Sequence, residues 1–470
     1  MSNPAWASIG YVLAWIAFAL WPVWLPPLAR PSARRRRVWR EAARRVGLTR
    51  VEESRDGVVG WAGPVHVGIS YDPTGQNRKT EITVGGPAIP AGLTVRSEGS
   101  VDPRARAAIR EVEVGDAPFD AVAWVEGPPA LAHAVLDRSA RRALQAMCEG
   151  RLEGPGRSPV RAMGRLENGI LEIEVSRGVT APRLAEVLER AIAVGRLLSS
   201  SADVPRRVAD NLKHERLARV RLASLAALVR EYPDDPATRE AVLAAREDPE
   251  PEVRLRAGIA LGPEGRDVLR SIARSSGIED DTASKAVAAL EADLTVDEAV
   301  GLLRNALGAR RAATATACMV AIGRRGGAAA IEVLAEVLAV ETGELGAAAA
   351  RALAATGDPA AEGPLLRALA EGSPGVRLAA VNVLGHVGTA ASVGPLREAE
   401  VADAGLRRGA RQAIAEIQAR LTGAEPGQLS LAGSEAGALS MADGEAGSLS
   451  LADEEAGRAS SRVRSAERAE

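Results

Sequence analysis

From Val204 to Leu421 the apolar positions recur at i, i+3 and i+4, the period of helices that each bury one face. One phrase, V-R-x-x-A-x-x-A-L, returns seven times in that stretch, most clearly from Val253 to Leu261 and from Val376 to Leu384. Aligned on the small residue at its fifth place, the copies begin at Val220, Val253, Thr282, Arg311, Leu345, Val376 and Leu406, at steps of 33, 29, 29, 34, 31 and 30 residues. A recurrence on that scale predicts a solenoid, in which a helix pair buries its apolar face only against its neighbours. A second helical stretch follows each phrase, as Arg266 to Ala273 follows Glu252 to Leu261, and is expected to line the concave face. Ala at the fifth and eighth places, as in Ala257 with Ala260 and Ala286 with Ala289, lets neighbouring helices approach closely. Gly262, Gly323, Gly357 and Gly388 stand where left-handed helix stops are expected.

The segments Glu252-Val253-Arg254 to Leu261-Gly262 and Gly375-Val376-Arg377 to Leu384-Gly385 resemble HEAT repeats. Their short step resembles the bacterial subclass shared with phycobilin lyase subunits. The resemblance spans Val204 to Leu421 and is weaker at Thr282 and Arg311, where the opening Val is missing. It implies an α-helical HEAT solenoid of about seven helix pairs, acting without catalysis as a scaffold for unidentified protein partners on the solenoid face. A bilin-lyase-like or other ligand-binding HEAT protein is the alternative. Tyr232 is the only aromatic residue of the array, which counts against a deep apolar groove, so no small-molecule substrate is expected.

Between residues 51 and 200 the period changes from helical to alternating. Val65, Val67, Ile69 and Tyr71, the turn Asp72-Pro73-Thr74-Gly75, then Thr80, Ile82 and Val84 predict a hairpin. Leu93 with Val95, Val112 with Val114, and Val122 to Val125 predict further strands. A helix is expected after Pro128-Pro129, with Leu131, Val135, Leu136, Leu144 and Met147 on its inner face. A second hairpin, Val160 to Leu166 and Ile170 to Val175, turns through Glu167-Asn168-Gly169, and a last helix runs from Pro182 to Leu198. Strands, helix, hairpin and helix in that order predict a small α+β domain.

No charged residue occurs from Ser2 to Ala29, and Ala5 to Leu25 supplies the ~20 apolar residues that span a bilayer. Trp6, Tyr11 and Trp15, then Trp21 and Trp24, supply aromatic rings along that run, with Trp6 at one interface and Trp21 and Trp24 at the other. A secretory signal carries positive charge ahead of its apolar run, and Met1 to Pro4 has no charged side chain. The pattern predicts a single-pass inner (cell) membrane anchor over residues 1–29. Nine Arg against Glu41 lie between Arg30 and Arg50, which by the positive-inside rule puts the bulk of the chain in the cytoplasm. Residues 30–50 are expected to form a juxtamembrane helix, with Arg34, Arg35, Arg36, Arg37 and Arg40 either as a topology signal or on the anionic membrane surface.

Beyond Leu421, residues 422–470 repeat every ten residues among Ser, Gly, Glu and Asp, a composition too poor in apolar residues to fold alone. A disordered tail is expected. Leu429 with Leu431, Leu439 with Met441, and Leu449 with Leu451 mark three copies of a possible docking motif, which would gain from being offered three times on one tether.

Composition adds mainly exclusions. Aromatics are 3% of the 470 residues, so a solenoid core has to be built from Ala, Leu and Val. Residues 204–421 carry 28 Arg plus Lys against 30 Asp plus Glu, a net of −2, and no nucleic-acid partner is expected without a surplus of positive charge. No G-x-x-x-x-G-K-[ST] occurs. His66, His133, His214 and His386 are scattered singly, and Cys148 and Cys318 stand far apart, so neither a metal site, a cofactor nor a catalytic constellation is expected. Asp234-Asp235 and Asp280-Asp281 precede helices, where carboxylates favour the N-terminal dipole.

Overall fold

The computed structural model describes residues 33–54, 56–71, 79–101, 106, 110–152, 160–175, 179–199, 203–420, 430–431 and 439–440. Two compact units divide the chain, one ending at Gly265 and the other beginning at Arg266.

In the first unit the alternating stretches form an antiparallel sheet. Its strands are β1 (Thr49–Glu53), β2 (Gly57–Ala62), β3 (Val65–Tyr71), β4 (Thr80–Gly85), β5 (Thr94–Ser97), β6 (Ala123–Glu126), β7 (Arg151–Leu152), β8 (Val160–Glu167) and β9 (Ile170–Val175). They lie in the order β1-β2-β3-β4-β9-β8-β5-β6, with β7 paired to β8. Both expected hairpins form, with Val67 opposite Val84 and Leu166 opposite Leu171. The second turns tightly because Asn168 and Gly169 adopt φ of 52° and 74°, a conformation these two residue types accept at little cost. The strands β1 and β2, not expected from the pattern, extend the sheet, and all five residues of β1 are exposed.

Alternation sends Val65, Val67, Ile69, Ile82, Val84, Leu171, Ile173 and Val175 to one buried face. Two helices, α1 (Ala33–Arg45) and the later Ala181–Leu198, belong to this core. The apolar side of α1 is taken up there, since Trp39, Ala42 and Ala43 are buried in the domain core. Gly195 lets the later helix lie close to the sheet, because a Cβ there would stand 2.5 Å from Val84 Cγ1. The helix expected after Pro129 is broken into α2 (Pro129–Val135) and α3 (Arg138–Cys148). The break follows from Asp137, whose carboxylate accepts from the N–H groups of Ser139 and Ala140 at 2.9 Å and so starts a new helix. Val112 and Val114 are buried but form no strand; Val112 N–H donates to Val125 O.

No helix among the described residues is long and apolar enough to cross a membrane, and this corrects the single-pass inner-membrane placement expected from the sequence. The segment that carried that expectation, with Trp6, Tyr11, Trp15, Trp21 and Trp24, lies outside the described residues.

The helical array begins in the first unit with α4 (Val204–His214), α5 (Ala218–Glu231), α6 (Pro236–Ala244) and α7 (Pro251–Leu261). In the second unit the order is α8 (Arg266–Arg274), α9 (Asp280–Leu290), α10 (Val296–Gly308), α11 (Ala312–Arg325), α12 (Ala328–Val340), α13 (Gly343–Ala355), α14 (Glu362–Glu371), α15 (Pro374–Val387), α16 (Val393–Ala402) and α17 (Arg407–Arg420). The phrase-bearing helices α9, α11, α13, α15 and α17 pack directly on one another, whereas α8, α10, α12, α14 and α16 touch their counterparts only lightly. Fully buried Ala315, Ala349, Ala350, Ala380 and Ala410 make that close approach possible. The phrase helices are thus the closely packed layer of the stack and the second helices the more open one.

The glycine stops divide in the same way. Gly262 and Gly357 have φ of 57° and 65°, as expected of left-handed stops. Gly323 instead lies inside α11, where a Cβ would come within 2.4 Å of Ala352 O on the next phrase helix; Gly326, at φ 67°, ends that helix. Gly388 has φ −64° and is not left-handed.

Candidate functional site

Because α12 and α14 are held apart, a groove of about 520 Å³ opens between them. Its α12 wall is built by Ala328, Ile331, Glu332, Ala335, Glu336 and Ala339, one face of the helix by their spacing of three and four residues. Asp358, Ala360, Pro364 and Arg367 form the other wall. Ile331 is buried and supplies an apolar floor, while Glu332, Glu336 and Arg367 are exposed. Asp358 accepts from Ala360 N–H at 2.8 Å, which holds the turn leading into α14. Glu332, Glu336 and Arg367 take part in no ion pair among the described residues.

A second concavity, of about 350 Å³, lies in the first unit where α2 and α3 meet α4 and α5. Buried His133 shares a 3.0 Å hydrogen bond between its Nδ1 and Ser224 Oγ, and Asn211 Nδ2 donates to the carbonyls of His133 and Ala134. Burial, with Arg141 beside it, holds the His133 imidazole down at about 4, so the ring is neutral at pH 7. Arg141 is only 2% exposed and donates to Asp116, to Leu136 O and to Glu215. Burial pulls the Glu215 carboxyl upward, but the Leu217 N–H and the Arg141 guanidinium outweigh it and hold the group below its ordinary range. His214 also lines this cleft, so the fold brings together two histidines that look isolated in the sequence.

Ties between successive repeats account for several charged residues. Arg221 grips Asp248 with two bonds of 2.7 Å, and Arg254 donates to Asp248 O, so one turn is held by two phrase arginines. Asp280 does not act on its own helix: it accepts from Ala313 N–H and Thr314 N–H and thereby caps α11 of the next repeat. Buried Arg311 donates to Ser275 O and Ala273 O. Sequence spacing alone does not reveal these partners, because each lies in another helix pair.

Arg34, Arg35, Arg36, Arg37 and Arg40 all lie on α1. Arg40 pairs with Glu53 at 2.6 Å, Arg35 stacks over the Tyr71 ring at 4.4 Å, and Arg34, Arg36 and Arg37 are exposed. Of the tail positions, Leu431 and Leu439 belong to a two-stranded antiparallel pairing of 430–431 with 439–440. Leu429, Met441, Leu449 and Leu451 lie outside the described residues. Among the described residues no group of three His, Cys, Asp or Glu is placed to hold a metal ion. Cys148 and Cys318 are buried, and burial pushes their thiols up to about 11 and about 12, far from the thiolate a nucleophile needs.

Residues 341–415 match a family model described as HEAT repeats. With the stacked helix pairs, that match supports a HEAT-repeat protein. No curated protein sequence matches the chain. A solved structure of human deoxyhypusine hydroxylase in complex with glycerol aligns at 16% identity over 46% of this chain and 98% of that one, with a TM-score of 0.21. A likeness at that level carries no argument about activity.

Proposed function

We propose that this chain is a protein-binding scaffold and that the groove between α12 and α14 seats the partner. The observation that supports it is the combination there of an apolar floor, small side chains and charged groups that form no ion pair among the described residues. Small side chains leave room for another backbone, and exposed charge at a rim sets orientation more than affinity. A photo-crosslinking residue at Ala335 of the full chain should capture a discrete partner in intact cells, and one at exposed Arg408 should not. Equal capture from both positions, or none from Ala335, would remove the groove from the account.

A small-ligand reading, in line with the lyase-like resemblance of the repeats, is favoured by one feature: the junction cleft where neutral His133, Asn211 and His214 converge. It predicts a ligand-dependent rise in the melting temperature of the full chain that His133→Gln abolishes; an unchanged rise in that variant would exclude the cleft.

A further inference from the structure

We infer that the occupant of the α12–α14 groove is a basic segment of a protein partner, with Arg or Lys flanking small apolar side chains; this rests on the scaffold proposal above and adds the chemistry of the partner. Glu332 and Glu336 stand one helical turn apart on the groove face, and α12 contains no Lys or Arg. Like charges at that spacing destabilise a helix, whereas some other helices of this chain carry opposite charges there. Glu41 pairs with Arg45, Asp210 with Arg206, and Asp281 with Lys285. Several acids on neighbouring layers are engaged: Glu291 by Arg324, Glu344 by Arg351, Glu400 by Arg411, and Glu362 by Thr389 and Ser392.

Glu332 and Glu336 thus face each other's like charge at i±4 and form no ion pair among the described residues. A cation delivered from outside would relieve their repulsion. The wall opposite adds one guanidinium, Arg367, and one carboxylate, Asp358, already engaged by Ala360 N–H, so the lining carries three acids to one base. The apolar strip of Ala328, Ile331, Ala335 and Ala339 lines the groove alongside the carboxylates and extends for roughly 16 Å at 1.5 Å per residue. That length suits about three turns of a helix whose contacting side chains are small.

The test uses the full chain and a fluorescein-labelled, fifteen-residue, Ala-based peptide with Arg at every fourth position, read by fluorescence anisotropy. A twin peptide with Glu in place of Arg is the control. The wild-type chain should bind the Arg peptide and not the Glu peptide, with binding weakened by added salt. The variant Glu332→Lys with Glu336→Lys should lose at least tenfold in affinity for the Arg peptide, and circular dichroism checks that its helices persist. Glu332→Gln with Glu336→Gln should fall between the two without adding repulsion. Equal binding of the Arg peptide by wild type and the Lys variant, preference for the Glu peptide, or absence of binding to wild type would each overturn the inference. Self-association that the Lys variant abolishes would assign the groove to a second copy and overturn it too. If crosslinking from Ala335 persists in the Lys variant, the groove still docks a partner but not through these carboxylates, so the two proposals fail separately.

Discussion

Arg141 and Glu215 form a 2.7 Å ion pair in which the side chains are only 2% and 6% exposed, although one lies between β6 and β7 of the sheet region and the other within the helical array. Asp116 takes the Nε of the same guanidinium, and Val220 of α5 joins the hydrophobic core of the sheet region. The α+β region and the first repeats are thus physically continuous, which is why the first compact unit extends to Gly265.

Removing Arg141 leaves two carboxylates facing each other in a buried site. Arg141→Met is expected to cost about 3–5 kcal/mol, the range for stripping one partner from a buried pair. Adding Glu215→Gln should recover part of the loss. Denaturant melts of the three variants test this; a single substitution with no effect would show that the pair contributes nothing.

Acidification should weaken the fold at the same junction. The folded protein holds His133 at about 4, while the unfolded chain protonates it near 6.5, so the unfolded state takes up the proton first. Stability is complete above about 6.5 and declines as the pH falls toward 4, and His66, also held at about 4 by burial, acts in the same direction. Melting temperatures measured between pH 7 and 4 should fall, and His133→Asn should flatten part of the slope. A wild-type curve level across that window would contradict the burial of both rings.

Three glycines that look alike in sequence should respond differently to Ala. Gly323→Ala drives a Cβ against Ala352 O and is expected to cost about 1–3 kcal/mol, as overpacking does. Gly326→Ala places a side chain at φ 67°, at a cost of roughly 1–2 kcal/mol. Gly301, inside α10 with open space around it, should gain roughly 0.5–1 kcal/mol on becoming Ala. Thermal denaturation of the set checks the order.

Asp280→Ala uncaps a helix in the next repeat and is expected to cost about 1–2 kcal/mol, with Asp280→Asn milder because its amide oxygen still accepts. Hydrogen exchange should rise at Ala313 and Thr314 rather than in α9. Exchange rising only in α9 would mean that Asp280 serves its own helix.

The helix pairs, both hairpins and the final helix of the α+β region were legible in the order of residues, because periods of 3.6 and 2 are local consequences of burying one face. The Ala-rich phrase likewise announced close packing. Its partners were not legible: the same glycine pattern served a stop at Gly262 and a helix crossing at Gly323, and only the approach of Ala352 separates the two. The break at Asp137 was hidden because the apolar positions on either side keep helical spacing, while the cap that divides them is a single carboxylate.

Local periodicity, turn residues and composition thus determined, from the sequence by itself, that most of this chain is a repetitive helical array joined to a small sheet region. The tertiary structure alone decided which helices pack most closely, where a groove opens, and which acids form no ion pair among the described residues. Those properties depend on distances between residues some thirty positions apart, set by how closely Ala and Gly let the phrase helices approach, and no local pattern records such distances.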